Sequence, residues 1–153
     1  MLTAKKPILY LGVVLLFIAA YGDVMTLRIP NLLVAAVALL GIIRLAVIDN
    51  IKIALYTAGV SFLVFIAGAV MFAHGFIGGG DVKLITAAVL LIGYRDSIGF
   101  LLLLVIFGAV QYVIAGTAAS ATIPLGVAIA IAGSIMLLIR PASNKTPGKI
   151  APA

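Results

Sequence analysis

The chain has 153 residues, 65% hydrophobic and only 9% charged, with a mean hydropathy of +1.39. A soluble domain carries roughly 45–50% apolar and about 25% charged residues, so a water-soluble domain is excluded. Ten Lys plus Arg stand against four acids, giving +6. The cations sit singly at the ends of apolar runs, as membrane proteins place them, which argues against a nucleic-acid partner.

The gaps between charges predict six helices, taken here in chain order. A membrane helix needs ~20 apolar residues. The first uncharged run, 7–22, has 16 residues and closes on Asp23. Lys5, Lys6, this run and Ala19-Ala20 also fit the outline of a signal peptide; five further apolar segments favour an uncleaved helix. The second helix is predicted over 30–48, where Pro30 suits a first turn beside Asn31 and Arg44 is close enough to an end to snorkel. The third is predicted over 53–74, inside an uncharged run of 28 residues that reaches Gly80. The fourth, over 81–94, is the odd one: its uncharged core holds only 11 residues. At 1.5 Å per residue, 14 residues rise about 21 Å, short of a ~30 Å hydrocarbon core. Asp81 at its start is therefore expected below the membrane surface, preceded by irregular backbone over 76–80. Such backbone survives at that depth only where protein or a watery cavity satisfies it. The fifth and sixth helices, 97–116 and 122–139, divide an uncharged run of 43 residues, with a turn near Gly116 to Pro124. Small residues (Ala115, Gly116, Ala118, Ala119) suggest close packing or a kink there. The short connections predict antiparallel neighbours. The fold class is thus all-α and polytopic, with a polar tail over 141–153 expected to be disordered. No residue argues for a particular oligomeric state.

With no Cys and one His, a disulfide framework, a thiolate zinc site, a cysteine nucleophile and, nearly, a Ser-His-Asp triad are excluded. Carboxylates carry most of the chemistry that remains, and no metal or cofactor is expected. All four acids are Asp. In a six-helix alternation Asp23 and Asp81 fall on one side of the membrane, Asp49 and Asp96 on the other. Asp49 near Lys52 and Asp96 after Arg95 read as solvated, charge-balanced turn residues. Asp23 and Asp81 lie near the headgroup boundary, where an ionisable group is a candidate for function; the plainer reading is a helix-end residue and an N-terminal residue favoured by the dipole. Two carboxylates in contact titrate as a unit, one keeping its proton. The ionised member can deprotonate a water that attacks an amide, and the protonated member can donate to the leaving amine. Gly78, Gly79 and Gly80 would let backbone approach a substrate. Arg28 and Lys83 would meet lipid phosphates or steady an aspartate, and His74 reads as an interfacial residue rather than a catalyst.

Gly78-Gly79-Gly80-Asp81-Val82-Lys83-Leu84 resembles the G-x-G-D motif of type IV prepilin peptidases, which are membrane aspartyl proteases. Asp23 followed by Arg28-Ile29-Pro30-Asn31 resembles the segment bearing their first catalytic aspartate, and Ile123-Pro124-Leu125-Gly126-Val127-Ala128-Ile129-Ala130 resembles a Pro-Gly stretch of the short members associated with Flp (tight-adherence) pilus assembly. The resemblance covers about residues 7–139 and implies a single transmembrane protease domain over 1–140. It implies Asp23 and Asp81 as the catalytic pair, and Gly78, Gly79, Gly80, Lys83, Arg28, Pro30 and Asn31 as supporting or substrate-binding residues. It also implies a prepilin or pseudopilin partner, cut at the junction of a basic leader and an apolar helix. The expected location is the bacterial inner membrane, with the site facing the cytoplasm. Longer members add a cysteine-bearing domain and N-methylate the trimmed pilin; this chain has no Cys, so N-methyltransferase activity is not expected. One expectation pulls the other way. Eight of the ten cations fall on the side of the termini, which the positive-inside rule would place in the cytoplasm. Other readings of the same two aspartates are a small proton- or ion-coupled transporter, a preflagellin-type G-x-G-D peptidase, and an inactive membrane subunit of a pilus machine.

Overall fold

The computed structural model describes residues 5–26, 29–47, 50–116 and 125–139. Among them are six helices and no strand: α1 (Lys5–Thr26), α2 (Asn31–Ala46), α3 (Ile51–Ala73), α4 (Gly79–Ile92), α5 (Tyr94–Gly116) and α6 (Leu125–Ile139). The expected all-α, six-helix class is met. By length and apolar composition α1, α3 and α5 can each cross a membrane, while α2 and α6 are shorter apolar helices. The expectations for Arg28, Asp49, Pro124, Ala118, Ala119 and the polar tail concern residues outside those described.

The bundle is built around its shortest member. The 14-residue α4 carries eight buried residues and packs against α2, α3, α5 and α6. A helix that is apolar all round belongs in such a central place. The most extensive packing pairs α1 with α6 and α2 with α4, and the chain neighbours α3 and α4, α5 and α6, and α1 and α2 pack together as the short connections suggest. Outward faces stay apolar: in α3 Leu55, Phe62, Leu63 and Ile66 are exposed, and its fully buried residues are the small Thr57 and Ser61. Large apolar side chains outside and small ones inside is the arrangement of a lipid-facing helix, since lipid leaves no hydrophobic gain in burying them.

Glycines let the helices approach. A Cβ on Gly12 would meet Leu91, one on Gly41 would meet Leu90 and the Leu91 backbone, one on Gly68 would stand 2.7 Å from Val82 Cγ1, and one on Gly133 would stand 2.7 Å from Leu16 Cδ1. The same contacts set the helix directions. Ile29 lies beside Gly80 and Leu90 beside Gly41, so α2 runs parallel to α4. Gly12 lies beside Leu91, so α1 runs against it. In this layout α2, α4 and α6 all start at the end where α1 finishes.

The end of α4 is a tight elbow. Gly93 has φ +94° and ψ 156°, a region essentially confined to glycine, and Tyr94 already begins α5. Ser97 donates to the Gly93 carbonyl at 2.9 Å, and the Tyr94 N–H donates to Thr57 Oγ1 at 3.4 Å. Arg44 was expected to snorkel outward; instead its Nη1 donates to the Leu91 carbonyl, closing the C-terminal end of α4. The last carbonyls of a helix lack intrahelical donors and carry partial negative charge, which is where a guanidinium binds best.

Candidate functional site

Asp23 and Asp81 are both helical. The expected first helix stopped at 22, but α1 continues to Thr26, whose hydroxyl donates to the Gly22 carbonyl at 2.8 Å. This places Asp23 in its last turn. Asp23 is buried, 6% exposed. Its Oδ2 accepts the backbone N–H of Gly126 at 2.8 Å, from the second residue of α6. The first N–H groups of a helix have no intrahelical acceptor, so the start of α6 supplies a donor that a buried carboxylate needs.

Asp81 belongs to the first turn of α4, which starts two residues earlier than the sequence suggested and keeps the expected length of 14 residues. Gly78 is the N-cap, with φ −70° and ψ 143°. The Asp81 carboxylate folds back against Gly78, the place an acidic third residue takes in a capping box. The three glycines therefore do different things. A Cβ on Gly78 would stand 2.8 Å from Asp81 Oδ2; on Gly79 it would meet the Phe72 ring at 3.3 Å; on Gly80 it would make ordinary contact with Ile29 at 3.5 Å. Gly78 and Gly79 make room for neighbours already present in the chain. The irregular stretch is correspondingly shorter than expected, since Gly79 and Gly80 are helical.

The two carboxylates share one end of the bundle and are near enough for the charge of Asp23 to act on Asp81. The link between their segments is direct. Ile29 lies over Gly80, Pro30 caps α2 and its carbonyl accepts from the Leu33 N–H at 3.0 Å, and Lys83 Nζ donates to Asn31 Oδ1 at 3.4 Å. The D-x4-R-I-P-N and G-x-G-D segments thus meet through α2 and α4. Asp96 is remote from both: it stands in the first turn of α5, beside the Gly93 elbow at the opposite end. His74 caps the C-terminus of α3, exposed, its ring 6.2 Å from that of Phe76. Among the described residues no group of three His or Asp side chains converges as a metal site would require.

Depth within the bundle differs from side to side. Phe72, one residue before the end of α3, lies against Gly79, so α4 starts level with the end of α3. The extra length of α3 falls at the other end, since Thr57 is level with Tyr94. On the α5 side the reverse holds. Leu125, at the start of α6, lies against Gly108, and α5 continues to Gly116. Eight residues rise about 12 Å, so the level of Gly126 and Asp23 is recessed below the end of α5.

Sequence reasoning placed Gly126 in a Pro-Gly stretch but gave it no part in the site. No local signal could have done so, because its partner is 103 residues away.

The described residues form an all-α, polytopic fold of six helices, three of them long and apolar enough to cross a membrane, with Asp23 and Asp81 at one end. The sequence pattern of the type IV leader peptidase family matches residues 10–114, which include both aspartates. The chain belongs to this family. No curated protein and no solved structure gives a match.

Proposed function

We propose that the chain is an aspartic endopeptidase that removes the leader of Flp-type prepilins or pseudopilins, using water activated between Asp23 and Asp81, at the cytoplasmic face of a bacterial inner membrane. The observation that carries this reading is the gathering of the two carboxylates at one end of the bundle, near enough for the charge of Asp23 to act on Asp81, in a leader peptidase family member. A coupled pair holds one proton between its members. The ionised carboxylate takes a proton from water, and the water oxygen attacks the scissile carbonyl. The protonated carboxyl gives its proton to the leaving nitrogen as the C–N bond breaks. Gly78, Gly79, Gly80, Lys83, Pro30 and Asn31 frame the mouth of this site, and Arg28 belongs to the same segment. The reaction stops at cleavage, with no methyl transfer to the trimmed pilin.

The test is co-expression of the chain with a Flp-type prepilin, reading leader removal by gel shift. Wild-type chain trims the prepilin; Asp23→Asn and Asp81→Asn each lose cleavage by roughly 10²–10⁴-fold, the contribution of one general acid or base. Full cleavage by either variant overturns the dyad. Trimming of a preflagellin but not a prepilin moves the substrate assignment. Ion uptake by vesicles of the purified chain without any peptide cleavage favours the transporter reading instead.

A further inference from the structure

We propose that Gly126, at the start of α6, is the positioning residue for Asp23; this rests on the proteolytic reading above. Two features of Gly126 act on the same carboxylate. Its N–H donates to Asp23 Oδ2 at 2.8 Å in a buried setting. Its missing side chain leaves the space in which Asp23 stands: a Cβ there would lie 2.8 Å from Oδ2, 2.9 Å from Cβ and 3.0 Å from Cγ of Asp23. Real Cβ atoms do not come this close to a neighbour. Rotating the carboxylate away does not relieve the clash, because Asp23 Cβ is fixed to the α1 backbone. Any larger residue at 126 therefore pushes α1 and α6 apart at this level or drives Asp23 off its hydrogen bond.

The hydrogen bond also distinguishes the two carboxylate oxygens: Oδ2 is the one held by α6. Holding a reacting group in one place is what lets it act on a positioned water. The arrangement mirrors the other half of the site, where a Cβ on Gly78 would again stand 2.8 Å from an Oδ2, that of Asp81. Each aspartate thus stands against a glycine at the start of a helix. One of these glycines lies in the motif beside its aspartate, and the other lies beyond the matched stretch, which closes at residue 114.

Gly133 provides an internal control on the same pair of helices. A Cβ there would meet Leu16 Cδ1 at 2.7 Å, the far end of a flexible side chain, seven residues deeper in α6. Leader cleavage is measured with wild type, Gly126→Ala, Gly133→Ala and Asp23→Asn in detergent, with kcat and KM separated and melting followed in parallel. The expected result is a fall in kcat of roughly 10- to 100-fold for Gly126→Ala, the cost of misplacing a reacting group by about 1 Å, with KM near the wild-type value. Gly133→Ala is expected to keep wild-type kcat whatever it does to melting. Wild-type kcat in Gly126→Ala, or an equal loss in both glycine variants, overturns the proposal. If Gly126→Ala does not fold, it is combined with Asp23→Gly. Recovered folding in the double variant locates the fault at the Asp23 contact and supports the proposal; continued failure overturns it. An Asp23→Asn variant that still cleaves removes the proteolytic reading itself and this proposal with it. An inactive Asp23→Asn beside a fully active Gly126→Ala removes only the role of Gly126.

Discussion

Asp81 turns back onto the chain that precedes it: its Oδ2 lies 2.8 Å from where a Cβ on Gly78 would stand. The glycine before the motif aspartate is needed for closeness, since its φ of −70° is open to any residue. Gly78→Ala is therefore expected to lower leader cleavage by roughly 10- to 100-fold through displacement of Asp81. Gly80→Ala, where the nearest neighbour is Ile29 at 3.5 Å, is expected to retain most activity. Steady-state rates for the two variants check the contrast; equal losses would show that closeness to Asp81 is not the reason.

Arg44 closes the C-terminal end of α4 through the Leu91 carbonyl. Removing a donor and leaving its acceptor unmatched costs about 1–3 kcal/mol. Arg44→Ala is expected to unfold earlier in a denaturant titration in detergent, and, once folded, to cleave at close to the wild-type rate, because the aspartates lie at the other end of α4. Gly93→Ala is expected to be at least as damaging, since it adds a strained φ of +94° to a Cβ only 3.1 Å from the Arg44 guanidinium.

Lys83 reaches Asn31 at 3.4 Å, and both are exposed. Such a contact is worth little, on the order of 0–1 kcal/mol. Lys83→Met is expected to leave melting nearly unchanged. Any loss of cleavage beyond about fivefold would then have to come from a direct role toward substrate, since 1 kcal/mol changes a rate by only about fivefold.

The helix directions put the start of α1 and the finish of α6 at the end away from Asp23 and Asp81. With the aspartates facing the cytoplasm, a reporter fused after Ala153 stands on the outer side. Alkaline phosphatase there is expected to be active and green fluorescent protein dark. The opposite result would follow the count of eight cations beside the termini and would remove the cytoplasmic assignment of the site.

The number of helices was legible because charge is costly in a bilayer, so Lys6, Asp23, Lys52, Asp81 and Arg95 mark helix ends to within a few residues. The match between D-x4-R-I-P-N and G-x-G-D was legible as well, and the structure joins those segments through Ile29, Asn31 and Lys83. Helix termini were less so. In the sequence Asp23 marks a boundary because a carboxylate ends an apolar run, yet an N–H from α6 lets α1 carry it inside the last turn. Arg44 has the pattern of a snorkelling cation because the sequence does not show that the open end of α4 lies within its reach. Both differences come from partners supplied by a different helix, which no local pattern encodes.

The unequal reach of α5 and α6 shapes the end of the bundle that holds the two aspartates. Among the described residues α5 runs on about two turns past the start of α6, whereas the end of α3 and the start of α4 are flush. The two aspartates therefore sit at the foot of a step in helix height rather than on a level rim.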